Sequence, residues 1–394
     1  MRGASLRRTL PALLVTAACH RGGTSASTAA EAGSDAAVMA APSASPAIVA
    51  SRCHATGDGL SLPSPEELEL GDAQPSSEGW ALGIVHRTRA GRVGAVAFIA
   101  RDASSVHVVD LGPTLGDAPP PRVAARGSDL LVAAYSLPRK SNARELAVSV
   151  VSAGGAIRPV ASLPQQRDDS FAFDLAPGLV VWDEATVGAS PRGVIRIAEL
   201  AADHAGAPRD VSPADSDAET PRVVATRDPG RSFVVWIARQ PEPVRLVDAA
   251  AADEATGEAR VPSWLEGVVV DAAGAPLGGV RKLTSQLGHV SAFDATFLTG
   301  EPRPTLLVVA RDDGEADDGS GGSLLRVRLR EDGIDAPLAL PDEGLGRGAP
   351  TLIDAPSPWL SWVGPHEELR LLALDAAGAP AAPPSAEPAL DDAC

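Results

Sequence analysis

Six short apolar segments of one type recur along this chain, and they constrain its fold more than any other feature. Three copies end in tryptophan and cover residues 178–182, 233–236 and 359–362. Three looser copies cover residues 130–135, 306–310 and 80–85. Each segment is rich in Val and Leu and is bounded by Gly, Pro or Asp, a pattern typical of a strand buried on both faces.

Further elements accompany the apolar segments. A second apolar stretch follows each copy, and two of these stretches end in the same turn, Asp-Ala-Ala-Gly-Ala-Pro, at residues 271–276 and 375–380. A third element precedes the copies, as in the Pro-Arg-Val of residues 121–123 and 221–223, about one hundred residues apart, or two repeats. A period of roughly 40–50 residues with three or four strands is typical of one β-propeller blade.

The repeat therefore predicts an all-β fold, a single β-propeller of about six blades over residues 51–394, with seven blades as the alternative. Since a blade cannot bury both of its faces alone, the blades are expected to stack around an axis. The tryptophans at the ends of the repeated strands are expected to fill the gaps between neighbouring blades, because a buried ring covers a large area.

The first eighteen residues have the pattern of an export signal. Arg2, Arg7 and Arg8 precede a short apolar run that is too short to span a membrane. The run ends in Thr-Ala-Ala before Cys19 and resembles the lipobox of bacterial lipoproteins. That resemblance implies cleavage before Cys19 and a lipid on its side chain. The alternative is an ordinary secretory signal that is cut nearby.

Residues 19–50 are mostly small and polar and predict a disordered Ala/Ser/Pro-rich tether. His20 follows the cysteine where a retention signal has Asp, so the lipobox resemblance implies an anchor in the outer membrane.

If Cys19 carries the lipid, Cys53 and Cys394 are the two cysteines left, and an oxidising compartment favours a disulfide between them. The alternative is two free thiols.

Composition limits the partners. The net charge of −17 argues against nucleic acid and against direct docking on anionic lipid, so contact with the membrane is expected through the lipid anchor only.

No catalytic motif and no metal-ligand spacing stands out in the sequence, so neither a catalytic residue nor a metal or cofactor site is assigned. The acidic residues 312–319 offer Ca²⁺ as an alternative to a solvated hairpin tip, although their spacing misses the EF-hand register.

Five charged residues of the repeats form the candidate ligand site. Asp174, Asp294 and Asp354 are carboxylates at matching places of three repeats, and Arg122 and Arg222 match each other one strand earlier in two other repeats. The innermost strands of a propeller line its channel, so these side chains are expected to converge at one channel mouth. The alternative is that each Asp caps the turn between the first two strands.

The whole repeat resembles the β-propeller domains of bacterial surface lipoproteins, over roughly residues 64–390, although WD40, kelch and sialidase motifs are absent. Since no catalytic constellation is visible, we expect a lipid-anchored binding or scaffold protein of the cell envelope, and we expect it to be a monomer. Its partner would be an envelope protein, a peptide or a glycan. The alternative function is a polysaccharide hydrolase or lyase that uses the channel-mouth carboxylates.

Overall fold

The computed structural model describes residues 49–51, 68–77, 79–101, 104–136, 144–164, 172–186, 192–228, 230–241, 261–314, 322–341, 348–353, 358–364 and 369–381. These residues form six separate antiparallel sheets and contain no helix. Each sheet is one blade. Within a blade, the strands follow one another in chain order from the inside to the outside of the ring, except in the last blade.

The first three blades have four strands each. From the inside outward, blade 1 contains β2 (Glu69–Pro75), β3 (Gly79–Thr88), β4 (Gly91–Ala100) and β5 (Val106–Pro113). Blade 2 contains β6 (Arg122–Arg126), β7 (Asp129–Ser136), β8 (Glu145–Val151) and β9 (Ile157–Pro164). Blade 3 contains β10 (Phe173–Ala176), β11 (Leu179–Ala185), β12 (Gly193–Glu199) and β13 (Arg209–Asp210).

The other three blades vary in their outer strands. Blade 4 contains β14 (Asp217–Ala225), β15 (Arg231–Arg239), β16 (Ser263–Asp271) and β17 (Arg281–Lys282). Blade 5 contains β18 (Val290–Phe297), β19 (Thr305–Asp312) and β20 (Ser323–Arg330), with β21 (Gly333–Ile334) and β22 (Leu338–Ala339) both paired to β20. Blade 6 contains β23 (Thr351–Ile353), β24 (Trp359–Val363), β25 (Leu369–Ala373) and β1 (Val49–Ser51).

The predicted fold is confirmed, and the blade count is six. All six repeated segments form the second strand of a blade, namely β3, β7, β11, β15, β19 and β24. From β2 to β23, the first strand of each blade contacts the first strand of the next blade. The first strands therefore surround a common axis.

Two distant parts of the chain form the last blade. Strand β1 pairs antiparallel with β25, with Ala50 opposite Arg370, and so becomes the outermost strand of blade 6. Because the chain continues from β1 into blade 1, this pairing joins the last blade to the segment that precedes the first blade. Strand β1 begins at Val49 and so overlaps the end of the segment 19–50, which was predicted to be a disordered tether.

The core consists of apolar clusters between blades. Five clusters each combine residues of two consecutive blades, from blades 1 and 2 to blades 5 and 6. Trp182, Trp236 and Trp362 are buried, and each packs in the cluster that its blade shares with the preceding blade. The three tryptophans therefore occupy the place between blades that the repeat predicts.

The two identical turns have the same structure. The side chain of Asp271 accepts hydrogen bonds from the N–H groups of Ala273 and Ala275, at 2.9 and 2.7 Å. The turn at Asp375 repeats this arrangement, and its Gly378 has a φ of 73°. A Cβ atom on Gly378 would lie 2.8 Å from Leu307 of blade 5, so this turn also packs against the preceding blade.

Several sequence-based assignments lie outside the described residues. They include the signal segment 1–18, Cys19 with most of the tether, and both Cys53 and Cys394. The lipid anchor and the disulfide therefore stay predictions. No helix within the described ranges is long and apolar enough to cross a membrane.

The inter-blade tryptophans generate a stability prediction. Replacing Trp182, Trp236 or Trp362 by Ala should each lower the free energy of unfolding by about 3–5 kcal/mol, because a large cavity would open between two blades. Denaturant titration measures the loss. The control is Leu287→Ala, since Leu287 is 81% exposed and its truncation should change stability by no more than about 0.5 kcal/mol. Losses below about 1 kcal/mol in all three variants would contradict the packing.

Candidate functional site

Charged side chains of alternating sign meet at the axis of the ring. Each comes from the first strand of a different blade: Asp72 from β2, Arg122 from β6, Asp174 from β10, Arg222 from β14 and Asp294 from β18. We call these five residues the axial cluster. It contains three carboxylates and two guanidinium groups.

Asp72 connects opposite sides of the ring. Its Oδ2 accepts hydrogen bonds from Nη1 of Arg122 and, at 2.8 Å, from Nη1 of Arg222. Arg122 belongs to the neighbouring blade 2, whereas Arg222 belongs to blade 4, which lies opposite blade 1 in a ring of six. The contact with Arg222 therefore crosses the axis.

The two guanidinium groups also contact the other carboxylates. Nη2 of Arg222 donates to Oδ1 of Asp294 at 2.6 Å. Oδ1 of Asp174 lies 3.6 Å from Nη1 of Arg222 and 3.9 Å from Nε of Arg122. Arg222 is thus the centre of the cluster, in contact with three carboxylates from three other blades.

Asp174 and Asp294 are also tied to the backbone of the next blade. Oδ2 of Asp174 accepts a hydrogen bond from the N–H of Val223 in blade 4, at 2.9 Å. Oδ2 of Asp294 accepts one from the N–H of Leu352 in blade 6, at 2.8 Å. Oδ1 of Asp294 also accepts a hydrogen bond from the N–H of its neighbour Ala295, at 2.9 Å. Neither aspartate is bonded within its own hairpin alone, because both side chains also connect blades.

Local irregularities turn side chains toward the axis. Strand β2 has a register shift between Leu70 and Ala73, which leaves Asp72 outside the regular ladder. Strand β14 has a shift between Glu219 and Arg222, where Thr220 adopts a left-handed φ of 54°. Bulges of this kind re-aim the side chains next to them.

The bulge before Arg222 is held from the neighbouring blade. Oδ2 of Asp183, a buried residue of β11, accepts a hydrogen bond from the N–H of Thr220 at 3.0 Å.

Blades 1 and 2 approach each other closely at Gly83. A Cβ atom on Gly83 would lie 1.8 Å from the carbonyl oxygen of Pro121, so only glycine permits the contact that places Asp72 beside Arg122.

The protein environment shifts the pKa values of these groups in different directions. Burial by itself raises the pKa of Asp72, but Arg222 and Arg122 outweigh it and hold this pKa well below its usual range. Burial raises the pKa of Asp174, although Arg222 and Arg122 oppose the shift. Burial disfavours the charge of Arg222, yet Asp294, Asp72 and Asp174 raise its pKa above the ordinary value.

The members of the cluster differ in accessibility. Asp72 keeps 41% of its side chain exposed to solvent. Arg122 and Arg222 keep 24% and 17%. Asp174 and Asp294 are nearly covered, at 11% and 9%. The accessible surface of the cluster therefore consists of one carboxylate and the two guanidinium groups that bind it.

The structure brings together four of the five residues proposed from the sequence: Arg122, Asp174, Arg222 and Asp294. Asp354 lies outside the described residues. In blades 3 and 4, the residues that precede the tryptophans pair with Asp174 and Arg222.

In blade 6, the residue before Trp362 is Ser361, and it pairs with Thr351. Thr351 therefore holds the equivalent place in the register, whereas the assignment of Asp354 to the ligand site stays a prediction. The reason for this difference in register is the hairpin, which has two residues between the paired strands in blade 3 (177–178) and five in blade 6 (354–358). Counting back from the tryptophan does not give the same position in the two blades.

Asp72 was missed by the sequence argument. A signal for it exists, because Asp72, Arg122, Asp174 and Arg222 follow one another at intervals of about fifty residues. The repeated strand of blade 1 does not end in tryptophan, and neither Pro-Arg-Val nor Ala-Phe-Asp precedes it to mark Asp72.

Other features lie away from the axis. Two cavities of about 420 and 410 Å³ are lined by residues of blades 4 and 5, and neither includes a member of the axial cluster. Of the acidic residues 312–319, only Asp312 and Asp313 are described, and their side chains bind His289 N–H and Arg311. In the described part of the chain, no three His, Cys, Asp or Glu residues are grouped as a metal site.

Comparison with known proteins gives distant structural likenesses. No protein-family model matches the chain, and no curated protein matches it in sequence. A prolyl endopeptidase structure matches with 15% identity and a TM-score of 0.45, over 80% of this chain and 41% of that one. A Trypanosoma rangeli sialidase in complex with sialic acid matches with 11% identity and a TM-score of 0.45, over 83% of this chain and 58% of that one.

The β-propeller domain of the Trilobed protease from Pyrococcus furiosus matches with 10% identity and a TM-score of 0.37, over 78% of this chain and 93% of that one. This chain spans less than two thirds of the endopeptidase and sialidase chains. At these identities and TM-scores, no residue takes its role from these proteins, and the strand pairing of the chain itself carries the fold.

The lowered pKa of Asp72 generates a pH prediction. A carboxylate with a depressed pKa in the folded state contributes stability above its unfolded pKa of about 4, and this contribution is lost as the pH falls. The free energy of unfolding of the wild type should therefore fall more steeply between about pH 5 and pH 3 than that of Asp72→Asn. Urea titration at several pH values measures both curves. The control for the loss of a surface charge is Asp332→Asn, whose free energy of unfolding should follow that of the wild type as the pH changes. The same pH dependence for the wild type and Asp72→Asn would contradict the axial ion pairs.

Proposed function

We propose that this protein is a lipid-anchored cell-envelope binding or scaffold protein, and that the axial end of its β-propeller recognises a polar ligand on a protein, peptide or glycan. The observation that carries the proposal is the axial cluster, in which charged groups from five blades meet and three remain accessible. Hydrogen bonds to ionised groups are about twice as strong as neutral ones, and a rigid ring fixes their directions.

The arrangement of the cluster supports binding better than chemistry. Asp174 and Asp294 each accept a hydrogen bond from a backbone N–H of the next blade. These bonds fix both carboxylates as acceptors that hold the blades together. The partly exposed side chains of Arg122 and Arg222 can orient an anionic group, because a guanidinium group offers only hydrogen-bond donors.

The first residues of the chain support the envelope location. Small residues precede Cys19 after an apolar run, as in the lipobox that this segment resembles. Export would also permit the Cys53–Cys394 disulfide, which we keep as part of the proposal. A lipid on Cys19 would attach the propeller to the membrane, with the outer membrane as the expected site, through the segment that precedes strand β1.

A polysaccharide hydrolase or lyase is the second candidate, and one observation favours it. The pKa of Asp174 is raised by burial, whereas the pKa of Asp72 is held low by Arg222 and Arg122. Two carboxyl groups whose pKa values are pushed apart are the arrangement that general acid catalysis requires. Release of reducing ends from a polysaccharide by the wild type, lost in Asp174→Asn, would favour this candidate over binding.

The binding proposal predicts a specific effect of Arg122. On an array of neutral glycans, uronate-containing glycans and acidic peptides, Arg122→Gln should lower the affinity for the bound ligand at least about tenfold, because a charged partner is lost. Surface plasmon resonance measures the affinity, and circular dichroism checks the fold. The control is Arg303→Gln, since the Arg303 side chain is 72% exposed and pairs only at the surface with Asp332. Equal loss in both variants would contradict an axial site.

The anchor proposal predicts covalent lipid on Cys19. Cells that express the full chain and are fed a labelled fatty acid should label the wild-type protein and not Cys19→Ser. Cys53→Ser serves as the control and should keep the label. Equal labelling of wild type and Cys19→Ser would rule the anchor out.

A further inference from the structure

We infer that Asp72 occupies an anion site formed by Arg122 and Arg222, and that a carboxylate group of the ligand takes its place. This inference rests on the proposed binding function and names the chemical group that the axial site would take. The juxtaposition that carries it is one carboxylate oxygen, Oδ2 of Asp72, held by guanidinium groups from two other blades.

Asp72 is the carboxylate of the cluster that can be exchanged. Its side chain is 41% exposed, against 11% for Asp174 and 9% for Asp294. Of the described residues, only Arg122 and Arg222 donate hydrogen bonds to it. Asp174 and Asp294 are each also fixed by a backbone N–H of the next blade. Solvent therefore reaches the carboxylate of the cluster to which no backbone group of the described residues donates a hydrogen bond.

The backbone at Asp72 is also irregular. Leu70 pairs with Ile84 and Ala73 pairs with Leu82, so Gly71 and Asp72 have no partner in the ladder of β2 and β3. A bulged residue interrupts the regular hydrogen bonds of its strand. Moving the Asp72 side chain therefore disturbs fewer ladder contacts than moving Asp174, which pairs directly with Val181.

Arg222 is fixed without Asp72, through its 2.6 Å hydrogen bond to Asp294. Arg122 keeps an ionic contact of 3.9 Å with Asp174, which also lies 3.6 Å from Arg222. An incoming carboxylate therefore meets one donor that is already oriented and a second one held nearby by charge. Pre-organised donors give affinity because little freedom is lost on binding.

The charges of the cluster select the kind of anion. When the Asp72 side chain moves away, Arg122 and Arg222 still face the carboxylates of Asp174 and Asp294. The place that Asp72 leaves has then lost one negative charge. A planar group with one negative charge restores the original balance. A phosphate, with up to two negative charges, would be repelled by Asp174, whose Oδ1 lies 3.6 Å from Nη1 of Arg222.

The test compares two substitutions of the same residue. Asp72→Ala removes the carboxylate and vacates its place, whereas Asp72→Asn removes the charge and leaves the place filled. Acetate is the probe, and isothermal titration calorimetry measures its binding at constant ionic strength. We expect Asp72→Ala to bind acetate at least about tenfold more tightly than the wild type or Asp72→Asn, because two charged donors have lost their partner. Acetate should also raise the melting temperature of Asp72→Ala and leave that of Asp72→Asn unchanged.

Three results would overturn the inference. The first is equal acetate binding by Asp72→Ala and Asp72→Asn. Both variants have lost the negative charge of Asp72, so equal binding would be an effect of net charge and not of a vacated site. The second is a folded Asp72→Ala protein without saturable acetate binding, which would mean that Asp174 takes over both guanidinium groups. The third is tighter binding of inorganic phosphate than of acetate, which would contradict the selection by charge.

The outcome is separable from that of the proposed function. If Asp72→Ala binds acetate while the wild type binds nothing on the array, the anion site exists and the proposed binding function fails. If the wild type binds a carboxylate-bearing ligand and Asp72→Ala binds it with the same affinity, the binding function stands and the displacement of Asp72 is wrong. Tighter binding of that ligand by Asp72→Ala supports both.

Discussion

The second strand of each blade is mostly apolar on both faces, and the rest of the structure follows from the need to cover them. Aromatic residues make up only 3% of the chain, so Val, Leu and Ala provide most of the contact area, and a few tryptophans fill the widest gaps. In the ring of six blades, clusters of buried apolar residues fill the contacts between consecutive blades, from blades 1 and 2 to blades 5 and 6. The ring in turn brings the first strands of all blades to one axis, where side chains of distant repeats become neighbours.

At the axis, the ring removes charged side chains from water, which is unfavourable, and opposite charges offset this desolvation. Asp72, Arg122, Asp174, Arg222 and Asp294 alternate in sign from blade 1 to blade 5. Removing a charge from water is unfavourable unless a partner compensates it, and here each guanidinium group contacts at least two carboxylates. The contacts that stabilise the ring therefore also create a rigid, partly accessible set of donors, on which the proposed binding function depends.

The sequence predicted the architecture well, because burial on both faces leaves a clear apolar pattern in each second strand, as at Trp182 and Trp236. It predicted the axial site less completely, since the position of a residue in a ring depends on hairpin length. Five residues connect the paired strands in blade 6 and two in blade 3, so Thr351 and not Asp354 matches Asp174. The partners also could not be derived from spacing. Asp72 and Arg222 are 150 residues apart and meet only because blades 1 and 4 face each other across the axis.

The contact across the axis tests the account most directly, because no local feature of the chain produces it. A double-mutant cycle with Asp72→Asn, Arg222→Gln and the double variant measures the coupling between the two side chains through the free energies of unfolding. We expect a coupling of about 1 kcal/mol or more, as for other residues in direct ionic contact. If the losses in stability caused by the two single substitutions add up to the loss in the double variant within about 0.3 kcal/mol, the two side chains do not interact. That result would contradict the ion-paired axis.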